Sequence, residues 1–109
     1  MLVVNRFVVD GDDADFRTRA GTALAALAAR PGYLRGRLGR AYDDPTAWTL
    51  ITEWESVGAY RRALSAYDVK VNATPLLAES LDEPSAFEEL AEAAPGGALT
   101  IVPSDLAVS

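Results

Sequence analysis

The chain of 109 residues contains no cysteine and no histidine. Without cysteine it can form no disulfide, no thiolate metal site and no cysteine nucleophile. Without histidine it lacks the commonest general base, the commonest haem ligand and every histidine-based zinc site. These absences exclude cysteine chemistry and metal centres built on thiolate or imidazole ligands.

Positive charge is also scarce: 10 Lys and Arg stand against 16 Asp and Glu, so the net charge is −6. Nucleic acids and anionic membranes bind to basic surfaces, so we expect neither as a main partner. No apolar run approaches the length of a membrane span, and the N-terminus lacks a basic segment leading into an apolar signal core. These features predict a soluble cytoplasmic protein of one domain.

The strongest local signal is a strand followed directly by a helix. β-Branched and aromatic residues run from Ala47 to Trp54, which predicts the strand. Ser56 can cap a helix through its hydroxyl, and apolar residues recur at helical spacing after it, at Val57, Tyr60 and Leu64. Trp54 therefore lies where strand gives way to helix, and an indole there can pack on one side and face a cleft on the other.

Strand and helix signals alternate along the rest of the chain. They predict a strand over Leu2–Val9, a helix from Asp10–Asp13 to about Arg30, strands over Tyr33–Tyr42 and Ala47–Trp54, a helix after Ser56, two short helical pieces broken near Pro75, and a strand within Glu83–Leu90. This order is that of the ferredoxin-like split βαβ arrangement, an α+β fold with one antiparallel sheet and its helices on one face.

We assign residues 1–90 to this domain and residues 91–109 to a linker and C-terminal tail. Ala91–Gly97 has the composition of a linker, and Ala98–Val102 is a β-prone run after it. We expect this run to be one added strand that pairs with a strand edge, and the partner subunit's edge is one candidate.

The first strand is apolar on both faces. One face carries Leu2, Val4 and Val8, and the other, which we assign to the helix side, carries Asn5 with Val3, Phe7 and Val9. A sheet with water on one side would alternate apolar and polar residues more cleanly. Because a chain this small buries only a moderate fraction of its surface, we predict a twofold homodimer formed through the Leu2 face.

The second strand is the most basic part of this acidic chain, with Arg35, Arg37 and Arg40. One interpretation is an edge strand that its charges protect from stray pairing. The other is a clamp for an anionic or phenolate ligand. The first interpretation is favoured because protecting an edge requires no particular geometry.

The residues also resemble a known family. A first helix ends in Pro31-Gly32-Tyr33, a hairpin follows, a strand ends in Trp54-Glu55-Ser56, and the next helix carries Ala59-Tyr60. This combination resembles the antibiotic biosynthesis monooxygenase family over roughly Leu2–Leu90. The resemblance implies a dimeric α+β barrel with a pocket between sheet and helices. It also implies oxidation of anthrones to quinones by O₂ without metal or flavin, or, in another branch, cleavage of haem.

Four positions carry the comparison with the family residue by residue. Trp54 matches the pocket tryptophan of both branches, and Tyr60 resembles a tyrosine of the quinone-forming members. Those members have an asparagine four residues before the tryptophan, where this chain has Leu50. Asn5 resembles the first-strand asparagine of the haem-degrading branch, which also requires a helix histidine that is missing here. We therefore predict no haem degradation.

Two functions follow as hypotheses. The first is cofactor-independent oxygenation of a small phenolic or polycyclic aromatic substrate, with Asn5, Trp54 and Tyr60 as catalytic residues. The substrate-binding residues would be Phe7, Leu50 and Asn72, and no cofactor would be needed. The second is a non-catalytic homodimer that binds an apolar metabolite or is purely structural, in which Trp54 and Tyr60 are core residues. A pocket opened by Trp54 and Asn5 favours the first, and a pocket filled by Leu50, Trp48 and Phe87 favours the second.

Overall fold

A computed structural model describes residues 1–106 of the chain. The elements are β1 (Leu2–Val8), α1 (Ala14–Ala28), β2 (Tyr33–Arg40), β3 (Ala47–Trp54), α2 (Val57–Ser65), α3 (Tyr67–Asn72), α4 (Thr74–Leu77), β4 (Ala86–Phe87), β5 (Ala91–Glu92) and β6 (Thr100–Ile101). None of the helices in this described part is long and apolar enough to cross a membrane. The predicted break near Pro75 is present, because α3 ends at Asn72 and α4 begins at Thr74.

The main sheet has the order β2-β3-β1-β4, and each neighbouring pair is antiparallel. In β1 and β3 the register runs from Leu2 opposite Glu53 to Val8 opposite Ala47. This order confirms the predicted α+β class and its ferredoxin-like arrangement. The basic strand β2 lies at one edge of the sheet, as expected from its arginines.

The core lies between the helices and one face of the sheet. Alternate residues of β1 and β3 are buried there: Val3, Asn5, Phe7, Trp48, Leu50, Thr52 and Trp54. Small residues of the helices, such as Ala20, Ala23, Ala59 and Ala63, are also buried and let the helices approach the sheet closely. The opposite sheet face holds half-buried and exposed apolar side chains, among them Val8 and Ile51.

The tail differs from the prediction in detail. Residues 91–92, within the stretch that resembles a linker, form β5, and β5 pairs with β6 through Ala91 opposite Ile101. Gly96 has a positive φ of 68°, so the chain reverses there and the β-prone run meets the nearest edge, in its own tail. Residues 107–109 of the predicted tail lie outside the described residues.

The junction that orients Trp54 depends on one glycine. Gly32 has φ of 87°, and its carbonyl oxygen accepts a hydrogen bond of 2.8 Å from the Glu55 backbone N–H. A Cβ built on Gly32 would overlap the Cβ of Ala59 in α2. Ser56 caps α2 by accepting a 3.0 Å hydrogen bond from the Ala59 N–H. The end of β3 and the start of α2 are therefore held against the start of β2.

Replacing Gly32 with alanine should destabilise the fold by about 1–3 kcal/mol, because the new Cβ meets both a left-handed backbone and Ala59. The control is Gly21→Ala in α1, where a Cβ meets nothing within 4 Å, and which should stabilise by about 0.5–1 kcal/mol. Urea unfolding of both variants measures the difference. Equal stability of the two variants would contradict this account of the junction.

Candidate functional site

The indole of Trp54 lies at the centre of the candidate site and is only 1% exposed. Its Nε1–H donates a 2.9 Å hydrogen bond to Oγ1 of Thr52, two residues earlier on the same face of β3. Its backbone N–H donates to the Met1 carbonyl oxygen at 2.9 Å. A buried indole N–H costs free energy when it has no partner, so Thr52 fixes both the position and the orientation of this ring.

Two tyrosine rings, those of Tyr33 and Tyr60, pack against the Trp54 indole, and the three rings form an aromatic cluster. Tyr33, the register partner of Trp54 in β2, lies at a centroid distance of 5.4 Å and an interplanar angle of 84°. Tyr60, in the first turn of α2, lies at 5.4 Å and 54°. Burial raises the pKa of both phenols above 10.0, so both hydroxyls are protonated near neutral pH and can donate hydrogen bonds.

Gly36 makes room for this cluster in the middle of β2. A Cβ at that position would lie 2.5 Å from the Tyr33 hydroxyl oxygen and 2.6 Å from Cδ1 of Leu24. It would also lie 3.2 Å from Cγ2 of Thr52, the residue that holds the Trp54 indole. The glycine therefore lets the Tyr33 hydroxyl and Leu24 pack against β2 beside Thr52.

The cluster reaches solvent through Tyr60. A cleft of about 600 Å³ lies between α2, α3 and α4. It is lined by Tyr60, Leu64, Lys70, Thr74, Leu77 and Ala78. Its wall is mainly apolar, and Lys70 supplies a cation at an exposed position. Of the three predicted catalytic residues, only Tyr60 lines this cleft, and Trp54 lies behind it in ring contact.

Asn5 lies apart from the aromatic cluster. It is 8% exposed, on the helix side of β1 and directly opposite Leu50. Among the described residues, its backbone oxygen accepts a bond from Thr49, whereas its carboxamide makes no hydrogen bond. Because Leu50 and Trp54 are four residues apart in an extended strand, Asn5 is displaced about 13 Å along the sheet from the level of Trp54.

The three predicted substrate-binding residues lie in three different places. Phe7 is 3% exposed, packs on Phe16 at 5.2 Å and borders an open groove near the α1 N-terminus. Leu50 is 1% exposed and lies in the core beside Asn5, its register partner in β1. Asn72 is exposed and lines a groove between α1 and α4. Phe7 and Asn72 therefore border different grooves, and Leu50 borders neither of them.

Sequence reasoning did not single out Thr52, Tyr33 or Lys70. The role of Thr52 could have been predicted from the sequence, because a residue two positions from a strand tryptophan lies on the same face, where its hydroxyl can accept a bond from the indole N–H. Tyr33 follows Pro31-Gly32 and needs only the β2–β3 register to reach Trp54. The place of Lys70 depends on how α3 packs against α2, which has no short-range sequence signal. In the described part of the chain, no group of three or more His, Cys, Asp or Glu is arranged to hold a metal ion.

Comparison with known proteins gives a family. The profile of the family described as antibiotic biosynthesis monooxygenase matches residues 1–71. The chain is 36% identical over 84 residues to a deoxynogalonate monooxygenase of Streptomyces nogalater, a match that covers 77% of this chain and 71% of that protein. The chain therefore belongs to the antibiotic biosynthesis monooxygenase family, as its residues indicated.

Solved structures agree in fold. SnoaB, a cofactor-independent oxygenase from Streptomyces nogalater, is 34% identical, with a TM-score of 0.66 over 82% of this chain and 94% of SnoaB. A SnoaB variant with an asparagine-to-alanine substitution is 35% identical, with a TM-score of 0.65 over 73% of this chain and 82% of the variant. A conserved protein from Methanosarcina mazei, at 20% identity and a TM-score of 0.63, covers 78% of this chain and 84% of its own length and shares the fold.

Replacing Thr52 with valine should destabilise the protein by about 1–3 kcal/mol, because the Trp54 indole N–H loses its acceptor in a buried place. The matched control is Thr49→Val in the same strand, which faces the other side of the sheet and makes only a 3.3 Å bond. Urea unfolding gives the free energies, and the indole N–H resonance of Trp54 reports the lost bond. An unchanged resonance in Thr52→Val would show that Thr52 does not hold the ring.

Proposed function

We propose that this protein is a cofactor-independent monooxygenase that oxidises a phenolic or polycyclic aromatic substrate, of the anthrone or quinol type, with O₂. The observation that carries the proposal is the buried Trp54 indole, held by Thr52 and flanked at 5.4 Å by Tyr60, which opens onto a cleft. Support also comes from 34–36% identity to a deoxynogalonate monooxygenase and to SnoaB.

The reaction requires little from the protein, because the substrate supplies the electrons. An anthrone loses a ring-methylene proton to give an anion that reduces O₂ directly. The methylene carbon becomes a carbonyl that contains one oxygen atom of O₂, and the other oxygen atom leaves as water, so atoms and electrons balance. The protein has to bind the substrate, exclude water and hydrogen-bond the oxygen on which negative charge builds.

Three residues have roles in this proposal. Trp54 forms a flat apolar wall for the substrate rings, and the protonated Tyr60 phenol holds a second oxygen or relays a proton. The free carboxamide of Asn5 hydrogen-bonds the ring oxygen on which negative charge builds. A polycyclic substrate extended along β3 from Trp54 would pass over Thr52 before it reached the level of Asn5.

Substrate entry then requires the helical layer to move. Trp54 and Leu50 are each 1% exposed and Asn5 is 8% exposed, so a substrate has to displace side chains above them. The α3–α4 segment is the element best suited to move, because it consists of two short helices interrupted at Thr74-Pro75 and lines the Tyr60 cleft. Lys70, on the same segment, would attract a phenolate to the cleft.

A second candidate function is a non-catalytic homodimer that binds an apolar metabolite or has a structural role. The burial of Leu50, at 1% exposed, and of Trp48, at 5%, favours it, because these side chains fill the space beneath the helices. Phe87 does not contribute to this filling, since it is 43% exposed on the short strand β4. Turnover assays separate the two functions.

We expect metal-free protein to accelerate the oxidation of anthrone by O₂, followed by quinone absorbance and oxygen uptake. Asn5→Ala should lower kcat by about 10²–10³, because a donor to the developing oxyanion is lost. Tyr60→Phe should lower it by about 10², and Trp54→Phe should mainly raise KM. The matched control is Tyr67→Phe, since Tyr67 is 79% exposed on α3 and lies outside the Tyr60 cleft.

Circular dichroism and thermal melting of each variant keep loss of fold separate from loss of chemistry. Rates equal to buffer for the wild type and for all variants would favour the non-catalytic function. A large effect of Tyr67→Phe, with no effect of Tyr60→Phe, would place the chemistry elsewhere.

We further propose a homodimer formed through the sheet face opposite the helices, and light scattering should give twice the chain mass of 11.6 kDa. That face exposes Val8 at 58%, Ile51 at 37% and Phe87 at 43%, next to half-buried Leu2 and Val4. Ile51→Lys should weaken the dimer by placing a charge in its centre, whereas Val71→Lys on the exposed side of α3 should not. A wild-type monomer at micromolar concentration would contradict the proposal.

A further inference from the structure

A second cleft lies at the opposite end of β3 from Trp54. It has a volume of about 680 Å³ and is lined by Arg17, Leu38, Gly39, Arg40, Ala41, Tyr42, Pro45 and Trp48. Trp48 and Trp54 are six residues apart in an extended strand, so the two indoles are separated by about 20 Å. One substrate of ordinary size therefore cannot contact both, and this Trp48 cleft requires its own explanation.

Two guanidinium groups lie over the same indole. Cζ of Arg17, from the first turns of α1, is 5.3 Å from the Trp48 ring centroid, and Cζ of Arg40 is 5.1 Å from it. Arg40 is also the cross-strand partner of Trp48 in β2, so the two side chains share the helix side of the sheet. Stacking of this kind orients an arginine and leaves its in-plane N–H groups available to a ligand.

The two arginines over Trp48 share one carboxylate. Asp13 accepts a 2.8 Å bond from Arg40 and lies 3.5 Å from Nε of Arg17, so one carboxylate serves two cations. Asp44, in the neighbouring turn, accepts hydrogen bonds from the hydroxyl and the backbone N–H of Thr46 at 2.7 and 3.0 Å, which lower the pKa of its carboxyl and keep it charged. The two arginines therefore share a single close carboxylate, and the adjoining turn adds negative charge from its own aspartates.

Trp48, which lines the cleft, has an indole N–H without a partner in the described part of the chain. The Nε1–H of Trp48 is buried and makes no hydrogen bond among the described residues, in contrast to the Trp54 N–H with its Thr52 partner. An unsatisfied buried donor is uncommon because it costs free energy. Arg17 and Arg40 have side chains that are 54% and 40% exposed, so they can shift to admit an acceptor to this ring.

We propose that the Trp48 cleft is a second binding site, which takes a small aromatic carboxylate through Arg17, Arg40 and the Trp48 indole. The planar guanidinium fork of each arginine matches a carboxylate. The aromatic part of the ligand would pack on Trp48 and Pro45. The ring of Tyr42 is fully exposed and can fold over the bound ligand. The volume lies within the usual range for small-molecule sites.

The test is calorimetric titration of the full chain with 2-naphthoate, with the neutral amide 2-naphthamide as the control ligand. We expect saturable 1:1 binding of naphthoate and at least about tenfold weaker binding of the amide, since hydrogen bonds to charged groups are the strong ones. Arg40→Gln and Arg17→Gln should each weaken naphthoate binding about tenfold. Arg61→Gln removes the same charge from an exposed position of α2, outside the cleft, and should leave binding unchanged.

Asp13→Asn gives a test in the opposite direction. Because Asp13 competes with the ligand for both arginines, its neutralisation should tighten naphthoate binding. Loss of fold cannot produce a gain in affinity, so this result would not be confused with a structural effect. Unchanged or weaker binding in Asp13→Asn would overturn the assignment of the two arginines.

The two indole N–H resonances give a site-specific readout. Naphthoate should shift the Trp48 resonance and leave the Trp54 resonance in place, and Trp48→Phe identifies which is which. Binding of naphthamide or inorganic phosphate as tight as that of naphthoate would overturn the proposal, as would a shift of Trp54 alone. None of these measurements depends on turnover, so the result is independent of the oxygenase proposal.

Discussion

The hydrogen bond from the Trp54 indole to Thr52 is the interaction on which the candidate site depends. It joins two residues of one strand face at 2.9 Å inside the core. The chain around it is then constrained, because β2 must bring Tyr33 against the indole and α2 must bring Tyr60. Gly32 permits this by letting the start of β2 approach Ala59 without a Cβ between them.

Much of this was predictable from the sequence, and for local reasons. The strand over Ala47–Trp54 has the bounds that its β-branched and aromatic residues predict, and Ser56 caps α2 through its hydroxyl. The antiparallel sheet followed from the order of the elements and from the handedness of crossovers. Trp54 and Tyr60 were expected in one site, and they are in ring contact.

The other features of the fold and the site depend on contacts between distant segments, which a single sequence does not reveal. Asn5 was assigned to the correct face of β1, but its distance from Trp54 follows from the register with β3, which sets Asn5 opposite Leu50. The tail strand pairs with β5, two residues in a stretch of linker-like composition, because a turn at Gly96 made that edge the nearest one. The Trp48 cleft joins α1 to β2 and β3, and no motif within one segment would reveal it.

The central claim is that the aromatic cluster around Trp54 supports oxygen transfer to an electron-rich ring without a cofactor. The most direct measurement is isotopic: metal-stripped protein is incubated with anthrone under ¹⁸O₂ and the quinone is analysed by mass spectrometry. The account predicts one labelled oxygen atom in each enzymatically formed quinone, formed faster than in buffer and abolished in Trp54→Ala that remains folded. Quinone formed at the buffer rate, or formed faster but with oxygen from water, would contradict it.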